Sequence, residues 1–349
     1  MNLDNRIQAF DKLGKFLTEF SSNYNKPSQE NSSFQDFKTQ LELSEANNRW
    51  FSQEHMLFAL KYWGHVLSYK NLKTWTQAYD IRNIIDPKCI AIIMAGNIPL
   101  VGFHDFLSVL ISGYNVVVKL SSNDKYLLPY LATFLKTIAP DFETKITFTE
   151  DKLKHFDAVI ATGSNNTSRY FEYYFRNKPS IIRKNRNSIA ILSGNETSFQ
   201  LKALSEDIFR YYGLGCRNVS KLFVPEGYDF KLFFEAIYHW HPIINHVKYA
   251  NNYDYNKAVY LMSEYDILEN GFFIIKEDQG HASPIATLFY EFYGDKNTLK
   301  QKLKAESENI QCVVSQGFFE NEIAFGNTQQ PKLWDYADQE DTICFLLSL

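Results

Sequence analysis

What this chain has little of already excludes several classes of protein. Only 4 of its 349 residues are cysteine, too few for the disulfide framework of a secreted domain. They read as reduced thiols in a cytoplasmic protein, at least one of them open to chemical use. Neither sign of charge dominates: 36 Lys+Arg against 40 Asp+Glu leave a formal net charge of −4. With no basic block there is no electrostatic footprint for nucleic acid. Apolar runs stay below the ~20 residues that span a bilayer. The charged start MNLDNRIQAFDKLGKFL lacks the apolar stretch of a signal peptide, so no membrane insertion is expected. Internal repeats, low-complexity tracts and a G-x-G-x-x-G fingerprint are missing too.

What is present describes a folded, mixed protein. Hydrophobic residues make up 45% and charged residues 22%, which excludes disorder. The length favours two domains. Ile7, Phe10, Leu13 and Leu17 fall near helical spacing and predict an amphipathic helix for docking or oligomerisation. Residues 1–80 read mostly as helix, with a polar break at about Ser21–Ser33 and a broad apolar stripe over Asn48–Tyr69.

The pattern then changes. Apolar runs at Cys89–Ala95, Tyr114–Leu120, Lys145–Thr149, Phe156–Ala161 and Ser188–Leu192 alternate with helical segments Leu100–Ile111, Tyr126–Ile138 and Ser168–Phe175. Such alternation makes a parallel sheet covered on both faces, which binds ligands at the carboxyl ends of its strands. Those ends are Gly96-Asn97, Lys119–Ser122 and Thr162–Asn165, all small or polar. After a helix over Lys202–Tyr212, a smaller α/β unit starts at Gly213, with strands Lys221–Val224, Phe272–Lys276, Ile285–Phe289 and Gln311–Ser315. The expected division is 1–205 for the N-terminal helices with a first domain and 206–325 for a second. Residues 326–349 form a tail that either returns to the first domain or serves a subunit interface.

Four fragments carry candidate chemistry. In Tyr212-Gly213-Leu214-Gly215-Cys216-Arg217-Asn218 a cysteine lies between glycines and an arginine. It is either an exposed thiol, shifted toward thiolate by nearby positive charge, or a buried structural cysteine after a glycine turn. Asn97, in Gly96-Asn97-Ile98-Pro99-Leu100, follows a strand. Alone it fits an N-cap of a proline-started helix, though its amide could also donate to an oxyanion. Gly163-Ser164 opens the helix after Phe156–Ala161, as a phosphate-binding turn does and as many other βα turns do. Lys119 ends a strand, where lysines are usually solvated.

In order and spacing, G-N-I-P-L, S-G-Y-N-V-V-V-K-L-S-S, A-T-G-S and G-L-G-C-R-N before S-K-L-F-V-P together resemble the aldehyde dehydrogenase superfamily. The closest resemblance is to its acyl-CoA reductase branch, which includes the reductase subunit of the bacterial luminescence fatty-acid reductase. The tail segments Gly326–Pro331, Asp335–Asp338, Asp341-Thr342 and Phe345-Leu346 extend it to the end of the chain. The resemblance implies an aldehyde-dehydrogenase-like α/β fold, with two Rossmann-type parallel-sheet domains behind an N-terminal helical segment. It also implies site roles. Cys216 is then the nucleophile, Asn97 the oxyanion amide, Lys119 a contact to the adenosine ribose, and Gly163-Ser164 the pyrophosphate turn.

Two departures shape the expected reaction. The superfamily's general-base glutamate, in an E-L-G-G-K segment, falls on Ser180 if Lys184 keeps the motif's lysine. Its E-x-F-G-P-V segment corresponds to Gly280–Ile285, which keeps Pro284 on the cofactor side and loses the acid. An aldehyde oxidiser needs a base to activate water, and a thioester reductase does not. The acidic ribose contact falls near Ser121-Ser122, where a 2′-phosphate is then tolerated, so NADPH is expected rather than NADH. The expected activity is NADPH-dependent reduction of a long-chain acyl-CoA or acyl-protein thioester to an aldehyde through S-acyl Cys216, with CoA as leaving group. The expected assembly is a homo-oligomer, with room for an acyl-donating subunit. A cysteine acyltransferase or thioesterase without hydride transfer, and a catalytically silent binding subunit, are the alternatives.

The remaining candidates are read more plainly. Arg183, Lys184 and Arg186 form a basic loop, either solvated or available to CoA phosphates and to the Cys216 thiol. His239, His241 and His246 lack a fourth ligand, and Pro242 breaks their helix, so no metal is expected. His104 can face an acyl pocket or sit in the core. Cys89, Cys312 and Cys344 are expected to act as small hydrophobes.

Overall fold

A computed structural model of the chain describes residues 1–26, 32–320 and 322–349. Pro27–Asn31, the centre of the expected polar break, lie outside the described residues. The chain forms two units: Met1–Lys184 with Lys332–Leu349, and Asn185–Pro331.

The first unit begins with helices α1 (Leu3–Asn23), α2 (Ser32–Asn47), α3 (Gln53–Val66) and α4 (Tyr69–Thr76). The apolar stripe of α1 buries Ile7, Phe10, Leu13 and Leu17 completely within this unit's own core. It is therefore used inside the unit rather than left for oligomerisation. Five parallel strands follow: β1 (Cys89–Ile93), β2 (Asn115–Lys119), β3 (Ile146–Phe148), β4 (Ala158–Thr162) and β5 (Ser180–Arg183). They lie in the order β3-β2-β1-β4-β5. Alternate residues of β1 feed opposite faces: Ile90 and Ile92 join the large core, while Ala91 packs with Val159 and Ala161. Helices α5 (Phe103–Ser112), α6 (Leu127–Ile138) and α7 (Asn165–Phe175) connect the strands. The order reverses between β1 and β4, a switch point whose carboxyl-end crevice is the usual ligand position in such sheets.

The second unit has a six-stranded sheet in the order β11-β6-β7-β10-β9-β8. Its strands are β6 (Asn187–Ile191), β7 (Val219–Pro225), β8 (Ile267–Glu269), β9 (Ile274–Glu277), β10 (Thr287–Tyr293) and β11 (Ile310–Val314). All neighbours pair in parallel except β8 with β9. Helices α8 (Ser198–Phe209), α9 (Lys231–Ile237), α10 (Val247–Met262) and α11 (Lys296–Ala305) accompany it.

Thus the mixed α/β architecture with two largely parallel sheets behind N-terminal helices is present. The boundary expected near residue 205 falls instead after Lys184, because β6 pairs with β7 and β11 and carries α8 with it. The tail divides as well. Gly326–Pro331 stays with the second unit, where buried Asp207 of α8 accepts from the Gly326 N–H (2.6 Å), the Thr328 N–H and the Thr328 hydroxyl (both 2.9 Å). Lys332–Leu349, with α12 (Thr342–Leu347), belongs to the first unit. No helix among the described residues is long and apolar enough to cross a membrane.

Candidate active site

The first unit gathers six of the sequence-predicted residues on one edge. Asn97 follows β1, Lys119 ends β2 with Ser121 and Ser122 just beyond, and Gly163-Ser164 follow β4. These three strands are neighbours, so all six stand at the carboxyl edge around the switch point. Asn97 is exposed there. It does not cap a helix: α5 starts only at Phe103, with Gly102 at its N-cap. The cause is a tight turn in which buried Leu100 takes the left-handed conformation, φ 56°, leaving Asn97 outside any helical hydrogen bonding. Gly96 must be glycine in this arrangement, since a Cβ would lie 2.6 Å from the Ser121 hydroxyl. The Ser164 hydroxyl caps α7 by accepting from the Thr167 N–H at 3.3 Å. The N-terminus of α7 therefore opens at this edge. The Lys119 ammonium donates to the Asp151 carbonyl at 3.0 Å.

One residue of this edge escaped the sequence reading. Asp124 is buried, and its Oδ2 accepts from the Leu100 N–H at 2.9 Å. Its Oδ1 is buried with no hydrogen-bond partner among the described residues, and burial pushes its carboxyl up to about 7. The only signal was an acid in the polar loop just after Ser121-Ser122, where nothing in the sequence distinguishes a solvated aspartate from a buried one.

Cys216 and Pro284 lie in the second unit. Cys216 sits in the turn before β7, Pro284 in the segment before β10, and these strands are parallel neighbours. Both residues thus stand at the amino edge of that sheet. The turn holding Cys216 is unusual: Tyr211, Tyr212, Gly213 and Gly215 all have positive φ, from 56° to 101°. For two tyrosines this costs conformational energy, so packing must hold them. Tyr212 stacks on His246 at 4.2 Å between ring centroids, and the Ser188 hydroxyl donates to the Cys216 carbonyl at 2.9 Å. Cys216 is half-buried. The Pro284 segment is anchored to β7: the Ser220 hydroxyl donates to the His281 carbonyl at 2.6 Å, and buried Lys221 to the Gln279 carbonyl at 2.8 Å. A cleft of about 520 Å3 lined by Glu196, Glu226, Tyr228 and Lys231 lies at the carboxyl end of β7, away from Cys216.

Several expectations change. Ser180–Arg183 is strand β5, not a loop, and Arg183 is buried in an ion pair with Asp105 at 2.7 Å. It also donates to the Ala337 carbonyl and the Thr342 hydroxyl, so it holds the tail rather than CoA. Lys184 pairs with Glu172 at 2.8 Å. His104 bonds the Leu333 carbonyl through Nε2 at 2.8 Å and sits beside Trp75 and Tyr336. His239 is held by the Ala236 carbonyl through Nδ1 at 2.9 Å. Of the three bystander thiols only Cys312 is buried; Cys89 is half-buried and Cys344 exposed. Burial and then Asp157 push the Cys89 thiol up; burial and then Asp341 do the same for Cys344. These two are shifted away from the reactive thiolate form.

Helices ahead of two largely parallel sheets give the chain a mixed α/β fold of the aldehyde-dehydrogenase kind. The fold comparison agrees. Aldehyde dehydrogenase 21 from Physcomitrella patens, in complex with the reaction product succinate, matches with a TM-score of 0.67 and 12% identity, over 100% of this chain and 84% of that one. A Mycobacterium tuberculosis aldehyde dehydrogenase complexed with NAD+ matches at 0.60 and 14%, over 90% and 73%. The P. syringae indole-3-acetaldehyde dehydrogenase AldA, in complex with NAD+ and IAA, matches at 0.60 and 13%, over 90% and 72%. Identities this low speak for the fold alone. No curated protein sequence matches the chain. The family model for acyl-CoA reductase (LuxC) matches residues 18–236. The chain belongs to that family, and is an oxidoreductase of aldehyde chemistry.

Proposed function

We propose that the protein reduces a long-chain acyl thioester, acyl-CoA or acyl-protein, to an aldehyde with NADPH, through an S-acyl Cys216 intermediate. The Cys216 thiolate attacks the thioester carbonyl, the new C–S bond forms, and the CoA thiolate leaves and takes a proton. A nicotinamide cofactor held at the first unit's carboxyl edge would supply hydride to the acyl carbon, and release of the bond to Cys216 then frees the aldehyde. Asn97 is the oxyanion donor in this reading. The amide turn at Gly163-Ser164 takes the pyrophosphate, Lys119, Ser121 and Ser122 lie on the adenosine side, and Pro284 on the nicotinamide side.

The observation that carries the reading is the absence of an acid where a hydrolytic dehydrogenase needs one. The segment Ser180–Lys184, on which that position falls, holds no Asp or Glu. Without that carboxylate the usual general base for activating water against the acyl-cysteine is missing, which favours hydride transfer as the step that discharges it. NADPH is favoured over NADH because Asp124, the acid nearest Ser122 in sequence, is buried and turned to Leu100 rather than out toward a ribose.

The test is to incubate the protein with a long-chain acyl-CoA, with and without NADPH, following the Cys216 peptide by mass, NADPH oxidation and aldehyde. The expected result is an acyl adduct that NADPH discharges as aldehyde, abolished in Cys216→Ala. An adduct that persists despite NADPH, or disappears as free acid, would instead make the protein an acyltransferase or thioesterase. No adduct, and an unaffected Cys216→Ala, would leave a binding subunit.

A further inference from the structure

We infer that Asp124 is a positioning residue that locks the loop after β1 to the loop after β2, and so sets the edge on which Asn97, Ser121 and Ser122 stand. This rests on reading that edge as the cofactor and oxyanion side of the reductase. Asp124 belongs to the second loop, where its N–H donates to the Ser121 carbonyl at 3.1 Å. Its carboxyl reaches into the first loop and accepts from the Leu100 N–H at 2.9 Å. That amide belongs to the one residue of the Asn97–Leu100 turn in the left-handed conformation. A buried leucine does not adopt φ 56° unaided, and without an acceptor for its N–H the turn loses the bond that defines it.

The two loops touch at a second point. A Cβ on Gly96 would come within 3.1 Å of the Asp124 nitrogen as well as meeting Ser121, so the chain next to Asn97 lies directly against the chain next to Ser122. From the end of α2, the Asn47 amide donates to the Ser122 carbonyl at 2.8 Å, and the Asn48 amide reaches the Gly96 carbonyl at a longer 3.5 Å. Asp124 is the only charged group in this brace. Packing alone does not call for it: a carboxyl with one oxygen hydrogen-bonded and the other buried with no partner among the described residues is a poor core residue. Its reach from one loop to the other is what a shorter or apolar side chain lacks.

The test uses the full-length protein with Asp124→Ala and Asp124→Asn, the second keeping an acceptor oxygen at the same reach. Two quantities are read: the rate of Cys216 acylation by a long-chain acyl-CoA, and the Kd of NADPH from its fluorescence. Asp124→Ala is expected to slow acylation roughly ten- to hundred-fold with little change in the acyl-CoA KM and to weaken NADPH binding several-fold. Asp124→Asn is expected to restore both to within about threefold. If Asp124→Ala does not fold, Asp124→Ser, whose hydroxyl falls short of Leu100, takes its place. Wild-type acylation and NADPH binding in the Ala or Ser variant would overturn the inference, as would an Asn variant no better than Ala. A wild-type protein that forms no adduct would overturn the reductase reading only, and the NADPH arm would still decide for or against Asp124.

Discussion

Burial of the Asp124 carboxyl disfavours its ionised form and so makes the fold's stability depend on pH. An unfolded aspartate titrates near ~3.9, whereas burial first, offset in part by the Leu100 N–H, places the folded group at about 7. Between those values the folded state holds a proton that the unfolded state has lost, so stability falls as pH rises and levels off above about 7. The full difference corresponds to about 4 kcal/mol. Asp124→Asn stays neutral and removes this slope. Its Tm relative to wild type is therefore expected to be several degrees higher at pH 8 than at pH 4.5, by differential scanning calorimetry. An equal Tm difference at both pH values would mean that the carboxyl ionises freely in the folded state. Little of this was visible in the sequence. The Gly96-Asn97, Lys119–Ser122 and Gly163-Ser164 edge was legible because small and polar residues interrupt apolar strands there. Asp124 was not, because burial of a loop acid depends on how two loops close on each other.

At the scale of the element, β5 shows where pattern reading fails. Ser180–Arg183 offers only two apolar residues before a run of cations, too short for a period to register. The strand is fixed by pairing with β4 and by what its last residue does. The Arg183 guanidinium donates to Asp105 of α5, to the Ala337 carbonyl and to the Thr342 hydroxyl, so it ties a strand, a helix and the tail together. Both charged side chains are nearly inaccessible, 6% for Arg183 and 10% for Asp105. Removing one partner strands the other, which typically costs roughly 3–5 kcal/mol. Arg183→Met is expected to lower the urea midpoint accordingly. Arg183→Lys should recover only part, since an ammonium cannot reproduce the planar fork. The double variant Arg183→Met with Asp105→Leu should be more stable than Arg183→Met alone. A single variant within about 1 kcal/mol of wild type would show that the pair is solvated.

At the scale of the whole molecule, the alternation of strands and helices gave both sheets, but not the chain's path between units. No proline- or glycine-rich linker marks the crossing after Lys184 or the return at Lys332. The crossing is short because β5 and β6, which serve different sheets, are joined only by Lys184, Asn185 and Arg186. The returning tail is part of the first unit's core. Leu333, Tyr336, Ile343 and Leu346 are each less than one-tenth exposed, and burying such side chains contributes roughly 1.5–3 kcal/mol apiece. Polar contacts fix the same segment: the Trp75 indole donates to the Tyr336 hydroxyl and Tyr79 to Asp341, both at 2.7 Å, and Tyr114 to the Leu346 carbonyl at 2.9 Å. Four apolar side chains together reach roughly 6–12 kcal/mol, comparable to the entire stability of a typical domain. A chain ending at Pro331 is therefore expected to lose amide hydrogen-exchange protection throughout β1, β2 and α5. Peptides from β7 and β10, which belong to the other unit, should keep theirs. Full protection of α5 in the shortened chain would show that the tail is an accessory to the first unit rather than part of its core.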